Sequence, residues 1–359
     1  MSAKLRILVV GCGTMGASHA RAYARMHDVE IVGLVSRSPD TRDALSNELG
    51  GRPTFDEFGA ALDATRPDAV SINTHTATHA EYAIRSLDAG AHVFVEKPMA
   101  LSVAQAKQVV ATAQRQARKL VVGYILRHHP SWITFIEHAR ALGKPLVMRM
   151  SLNQQSTGAE WAAHKRLMET QSPIVDCGVH YVDVMCQMTG AKPIRVGAIG
   201  ARLSDELVEG MYNYGHLHVT FDDGSCGWYE AGWGPMMSQE AFFVKDVVGP
   251  RGCVSMVAKT DVAVGGSSDI NSHTVTNALR VHRSACTSSG EYAHADEVID
   301  TVDEPDHQAL CDREQAYFIR AVREDHDLAQ HMADAINSLR IVLAADEAYR
   351  TGQVVSLND

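Results

Sequence analysis

The sequence predicts an α/β chain in two parts: a parallel, doubly wound sheet at the N-terminus, then an α+β domain with an open, mostly antiparallel sheet. Three observations carry this. Strand-like and helix-like segments alternate from Leu5 to Tyr124. A glycine-rich turn, Gly11-Cys12-Gly13-Thr14-Met15-Gly16, joins the first strand to the first helix. After Arg127 the alternation stops and several strand-like runs follow one another.

Leu5 to Val10 is short, apolar and rich in branched residues, as expected of a strand buried on both faces. The turn after it has the spacing G-x-G-x-x-G. Gly11 permits the tight turn, Gly13 lets backbone approach a pyrophosphate, and Gly16 lets helix and strand pack closely. Thr14 and Met15 share that turn and join the cofactor-binding candidates. The phosphates would meet the N–H groups and positive dipole end of the following helix. A second strand, Ile31 to Val35, arrives at the right distance, so the first half reads as a Rossmann dinucleotide-binding domain. That strand ends in Ser36-Arg37-Ser38 where an NAD site usually has Asp or Glu. A hydroxyl and a guanidinium suit a 2′-phosphate, so the expected cofactor is NADP, with NAD as the alternative. On the plainer reading Arg37 is a solvated loop residue, and Asp40 is an ordinary acidic residue opening the next helix.

Asp68 to Asn73 reads as a further buried strand, leading through Thr74-His75-Thr76-Ala77-Thr78-His79 into a helix. Loops at the carboxyl ends of parallel strands face the cofactor, so Thr74, His75 and His79 are candidates to touch it. Capping and helix packing account for the two histidines equally well. His92 to Val95 is the next strand, and it delivers Glu96-Lys97-Pro98. Proline restricts Lys97 to extended geometry on the ligand side of the sheet. Glu96 and Lys97 at this strand end join the cofactor-binding candidates, and Glu96 is placed to pair with a basic group below. Ser102 to Gln105 reads as a capping box. Leu120 to Tyr124 is the sixth strand, and the domain boundary falls near Arg127, giving domains of 1–127 and 128–359.

The second part begins with an amphipathic helix, His129 to Leu142, and an alternating strand, Leu146 to Asn153. Asn153 to Pro173 reads as a polar connector containing Trp161, His164 and Lys165, and Asp176 to Met188 as a helix. Strand-like runs follow near Ile194–Ile199, Tyr214–Phe221, Gly227–Ala231, Ala241–Val248 and Cys253–Val257, with a hairpin turn at Asp222-Asp223-Gly224. Residues 261–301 carry no clear periodicity. Helices over His307–Arg323 and His331–Arg350 close the chain.

At 359 residues, 45% hydrophobic and 21% charged, the chain can build two cores. A net charge of −10 disfavours a nucleic-acid or anionic-membrane partner. The 7 cysteines are scattered, with no C-x-x-C pair, which suggests a reducing compartment and no zinc ribbon. No apolar run is long enough to span a bilayer and the N-terminus has no signal-peptide core, so a cytoplasmic location is expected.

The ordered set Gly11-x-Gly13-x-x-Gly16, Thr74 with His79, Glu96-Lys97-Pro98, Gly123 with Arg127, and Asp176-x-Gly178-x-His180-x-x-Asp183 resembles the Gfo/Idh/MocA dehydrogenases. That family acts on sugars, cyclitols and related compounds with a nicotinamide cofactor. The resemblance implies that Lys97, Asp176 and His180 are catalytic. It also implies that the C-terminal sheet commonly forms a homodimer or homotetramer interface. Two elements depart from the pattern: Gln171-Ser172-Pro173 stands where many members have a glycine-rich run, and His75 where many have proline.

The chemistry of those residues agrees. Oxidising a secondary alcohol needs a hydride acceptor, a base for the hydroxyl proton and a donor for developing alkoxide. His180, with an ordinary imidazole range near neutrality, suits the base. Lys97, a compact donor, suits the alkoxide. On a helix Asp176 lies at i−4 from His180 and orients the imidazole, while Asp183 one turn on is placed to bind a substrate hydroxyl. Tyr124, which ends the sixth strand, and Arg127 just after it complete the substrate-contact candidates with Lys97 and His180. No third ligand stands at metal spacing beside Asp176 and His180, so no metal is expected. The aromatic run Gly227 to Trp233 suits either a sugar ring or a subunit interface. The reading is an NAD(P)-dependent dehydrogenase or reductase of a sugar, cyclitol or derivative. Its rivals are a trans-dihydrodiol-type dehydrogenase and a non-catalytic ligand-sensing regulator on the same fold.

Overall fold

The computed structural model describes residues 3–238, 243–257, 276–301 and 303–357. They divide into two compact units, one of residues 1–125 with 308–336, the other of residues 126–307 with 337–359.

In the first unit six strands form a wholly parallel sheet: β1 (Leu5–Val10), β2 (Val29–Val35), β3 (Thr54–Phe55), β4 (Ala69–Ile72), β5 (His92–Glu96) and β6 (Leu120–Gly123). Their order, β3-β2-β1-β4-β5-β6, is that of a Rossmann domain, as expected. The crossovers are α1 (Thr14–Ala24), α2 (Pro39–Glu48), α3 (Phe58–Thr65), α4 (Thr76–Asp88) and α5 (Val103–Arg115). Ser102 caps α5 by accepting the Gln105 N–H at 3.2 Å, as its spacing predicts. Ile7, Leu8, Val93, Phe94 and Val121 are fully buried because both sheet faces are covered. Phe318 and Ile319, near the end of the chain, belong to this same core with Tyr23 and Phe94.

The second unit opens with a 3-10 turn over Ile125–His128 and α6 (Pro130–Ala141). Next come β7 (Val147–Gln154), α7 (Gly158–Leu167), α8 (Pro173–Asp176) and α9 (Gly178–Thr189). The remaining strands are β8 (Pro193–Ala201), β9 (Tyr214–Phe221), β10 (Cys226–Trp233), β11 (Phe243–Gly249), β12 (Gly252–Val257), β13 (Ala278–Arg283), β14 (Glu297–Asp300) and β15 (Val355–Ser356). All nine strands form one sheet, ordered β14-β13-β12-β11-β7-β10-β9-β8-β15. Pairing is antiparallel except between β7 and β10. The hairpin turn is present, with Gly224 at φ +83°. Leu217, Val219 and Tyr229 point inward and are buried, while Arg149, His216, His218 and Trp228 alternate to the other face. Two helices precede β15: α10 (His307–Arg323), in the first unit from Gln308 on, and α11 (Ala329–Thr351), divided between the units at 336.

Two sequence expectations are corrected here, and one unassigned stretch is filled in part. The connector Asn153 to Pro173 contains a helix, α7; Trp161 is its one buried residue, so it offered almost no apolar stripe to read. The helix expected from Asp176 to Met188 is broken at Cys177: the His180 N–H reaches Cys177 O at 3.1 Å, and α9 starts at Gly178. A Cβ at Gly178 would stand 3.0 Å from the Tyr229 ring, so glycine lets this joint lie against the sheet. Within 261–301 the described part carries β13 and β14; residues 258–275, and positions 241–242 of the expected strand Ala241–Val248, lie outside the described residues.

Candidate active site

In the first unit the candidate residues gather at the carboxyl ends of the parallel strands. Gly11 has φ +95°, and a Cβ there would stand 2.4 Å from Asn73 O. A Cβ at Gly16 would stand 1.9 Å from Gly11 O, so only glycine lets α1 begin this close to the turn. At Gly13 nothing among the described residues lies within 4 Å of where a Cβ would stand, which leaves space for a bound group. Gly13 caps α1 with no side-chain hydrogen bond, so the first N–H groups of the helix face that space. The residues present thus fit a pyrophosphate. Thr14 is exposed and Met15 half-buried beside it.

At the end of β2, Ser36 is half-buried and Arg37 exposed. A second guanidinium, which the sequence reading missed, stands there too: Arg42 Nη1 donates to Ser36 O at 3.1 Å. Beyond β4, Thr74 and Thr78 share a 2.6 Å hydroxyl hydrogen bond and His75 is exposed. His79 is 1% exposed; its Nδ1 lies 2.8 Å from Pro98 O and its Nε2 2.8 Å from Thr74 O. It therefore braces the two strand-end loops from behind instead of reaching into open space. Burial pushes His79 below the ordinary imidazole range.

The basic group below Glu96 is His19, whose Nε2 lies 2.6 Å from Glu96 Oε1. Lys97 follows, half-buried, and its peptide bond to Pro98 is cis. Tyr124, after β6, is 1% exposed with its ring edge-on to His331, so it is packed into the unit.

In the second unit Asp176 and His180 are both half-buried at the joint of α8 and α9. Arg127 and Asp183, each expected to meet substrate, are joined to each other: Arg127 Nε and Nη2 donate to the Asp183 carboxylate at 2.8 and 2.6 Å. Gln187 Nε2 donates to it as well, at 3.0 Å. Near Asp176 the structure adds His164, whose ring stacks on Trp233 at 4.4 Å and whose Nδ1 lies 2.8 Å from Ser156 Oγ. Burial pushes His164 down to about 4, against the pull of Asp176. The aromatic run splits by face: Trp233 and Tyr229 are buried, and Trp228 lies on the outer face beside His216 at 5.3 Å.

Residues 5–124 match the model of an oxidoreductase family with an NAD-binding Rossmann fold, and residues 137–252 match the Gfo/Idh/MocA C-terminal domain. The chain belongs to the Gfo/Idh/MocA oxidoreductase family. This family member is 23% identical to scyllo-inositol 2-dehydrogenase (NAD(+)) of Bacillus subtilis over 100% of its own length and 98% of the relative's. It is 30% identical to UDP-N-acetylglucosamine 3-dehydrogenase of Acidithiobacillus ferrooxidans over 55% of its own length and 58% of that protein's. The crystal structure of scyllo-inositol dehydrogenase from Lactobacillus casei with bound NAD(H) and scyllo-inositol superposes with a TM-score of 0.75 at 20% identity, covering 98% of this chain and 99% of that one. At that identity the likeness concerns the Gfo/Idh/MocA fold alone.

Proposed function

We propose that the protein transfers hydride between a nicotinamide and a secondary alcohol or ketone of a sugar, cyclitol or sugar derivative, and that NADP is its preferred cofactor. The observation that carries this is the fit of the glycine turn to a dinucleotide, with Lys97 delivered at a strand end of the same sheet. When bound, the nicotinamide supplies the hydride acceptor or donor. Gly11, Gly13, Thr14, Met15 and Gly16 hold the pyrophosphate; Ser36, Arg37 and Arg42 hold the adenosine ribose and its 2′-phosphate. Lys97 donates a hydrogen bond to the substrate oxygen, and His180 takes the hydroxyl proton with Asp176 orienting it. Asp183 is 1% exposed and its carboxylate is taken up by Arg127 and Gln187, so it braces α9 from behind instead of binding a substrate hydroxyl as expected, and Arg127 is the member of the pair left to meet substrate.

Cofactor binding is thereby assigned to 1–127, and substrate binding and self-association to 128–359. Valines and Ile199 on the outer face of the nine-stranded sheet support a homodimer or homotetramer: Ile199 is 67% and Val298 60% exposed. The scattered cysteines, with no C-x-x-C pair, support a reducing, cytoplasmic setting. Among the described residues no helix is long and apolar enough to cross a membrane.

The test is turnover of a panel of inositols, sugars, sugar nucleotides and trans-diols with NAD+ and with NADP+, for the wild type and Lys97→Ala. Turnover of polyols that is lost in the variant is the expected result. Turnover confined to dihydrodiols would select the rival enzyme, and binding without turnover of any of them would select a sensor.

A further inference from the structure

Behind the strand end that carries Lys97 lies a run of buried polar groups to which the reaction assigns no part. Glu96 closes β5. Its Oε1 accepts from His19 Nε2 at 2.6 Å, and its Oε2 accepts the Lys97 N–H at 3.2 Å. Across the imidazole, Gln315 Nε2 lies 2.8 Å from His19 Nδ1, and the Tyr23 hydroxyl donates to Gln315 Oε1. That phenol sets the sense of the whole chain. Tyr23 is fully buried and its O–H needs an acceptor, which the amide oxygen supplies. The amide N–H then faces His19, so Nδ1 accepts and Nε2 carries the hydrogen given to Glu96. Gly123, paired with Glu96 across the sheet, makes room: a Cβ there would stand 3.3 Å from the Glu96 carboxyl carbon.

A second carboxyl intrudes. Glu314 on α10 is 1% exposed, and its Oε1 has no hydrogen-bond partner among the described residues. One atom each of His19, Glu96 and Glu314 lie within 4.8 Å of one another. Two ionised carboxylates that close in a dry interior repel each other and lack water to compensate. Burial, and then the charge of Glu96, push Glu314 well above the usual carboxylate range. Glu314 therefore holds a proton, and the cluster keeps its negative charge on Glu96.

We propose that Tyr23, Gln315 and His19 form a positioning chain that holds the Glu96 carboxylate immediately behind Lys97, with Glu314 as its buried neighbour. This rests on the reading of Lys97 as the group that meets substrate. The titratable groups facing Glu96 are His19 and Tyr23 from α1, His79 from α4, Glu314 from α10, and Lys97 itself. A fixed negative charge one residue away favours the ammonium form of Lys97, which is the form that donates to an alkoxide.

The experiment reads Lys97 and needs no substrate. Trace acetylation of the full-length protein with acetic anhydride, followed by mass spectrometry across pH, gives the pH at which Lys97 is half reactive. Glu96→Gln removes the charge and keeps the shape, and should lower that pH by about one unit or more. Tyr23→Phe loosens the far end of the chain and should lower it by less. Glu314→Gln exchanges a neutral acid for a neutral amide and should leave it in place; its infrared difference from wild type at neutral pH should show loss of a protonated carboxyl band. The inference is overturned if Glu96→Gln or Tyr23→Phe leaves the half-reactive pH unmoved, or if Glu314→Gln removes a carboxylate band. Should Glu96→Gln fail to fold, the other two variants decide. A shifted Lys97 with unchanged turnover in Glu96→Gln would leave this arrangement standing and remove Lys97 from the reaction instead.

Discussion

On the proposed roles, Lys97 steadies one oxygen and His180 moves one proton, and each would leave a different kinetic trace. Lys97→Ala should keep its fold and cofactor affinity while turnover falls by about two to four orders of magnitude; thermal melting and cofactor titration beside the rate measurement check this. His180 must begin oxidation without a proton on its accepting nitrogen, so the rate rises with pH through an acidic limb. On the proposed role of Asp176 its carboxylate would stabilise the imidazolium, so Asp176→Asn should move that limb to lower pH and lower the plateau. His180→Ala should lose the limb, and a limb unmoved in both variants would hand the role of base to another group. At the end of β2 the two guanidiniums predict discrimination between cofactors. Arg37→Asp should weaken NADP by about 2–4 kcal/mol and NAD far less. Titration of both cofactors would decide, and a wild type that prefers NAD would sink the preference. The sequence pointed to Arg37 because it follows a recognisable strand. Arg42 lies a helical turn further on, and only the fold turns it back to Ser36.

Local pattern governs how well each element could be read. The G-x-G-x-x-G turn is legible because its constraint is local: residues five apart meet, Gly11 and Gly16. Gly16→Ala would press a Cβ into the Gly11 carbonyl, 1.9 Å away, and should cost about 1–3 kcal/mol in thermal stability along with cofactor affinity. The Glu96–His19 bond joins residues 77 apart, and the His19–Gln315 bond residues 296 apart, so neither leaves a periodic mark in the sequence. The break at Cys177 was equally hidden, since the close approach of Gly178 to the Tyr229 ring joins residues far apart in the sequence. The helix α7 brings in His164, and with it a pH dependence. Its folded value of about 4 lies below the ordinary imidazole value, so in between the unfolded chain binds the proton first. Stability should be complete above about pH 6.5 and fall on acidification toward pH 4, by at most about 1.4 kcal/mol per pH unit from this group. Chemical denaturation at several pH values should show a flatter profile for His164→Gln; an unchanged profile would mean another group dominates.

The nine-stranded sheet shows one face to its helices and leaves Ile199, Val244 and Val298 on the other. If that face joins copies of the chain, Ile199→Lys with Val244→Lys should shift the protein to a smaller assembly in sedimentation velocity, with melting little changed. An assembly of unaltered size would place the interface elsewhere. Order along the chain and order in space part company over residues 308–336, which fold with the first unit after the second has been traversed. Nothing in the strand–helix rhythm foretells this, because α10 is as amphipathic as any helix and its sequence does not say which core it covers. The backbone passes from one unit to the other three times, after residues 125, 307 and 336. Neither unit is therefore a contiguous stretch that can be excised. A gene fragment ending at 127 would lack Phe318 and Ile319, leave Phe94 and Tyr23 uncovered, and strand His19 without its amide partner. Such a fragment should aggregate on expression, whereas the same fragment spliced by a short linker to residues 308–336 should stay in solution. Modular exchange in this architecture thus calls for two grafts at once, and a lineage that swapped its cofactor module in one recombination event would have inherited an unfinished interior.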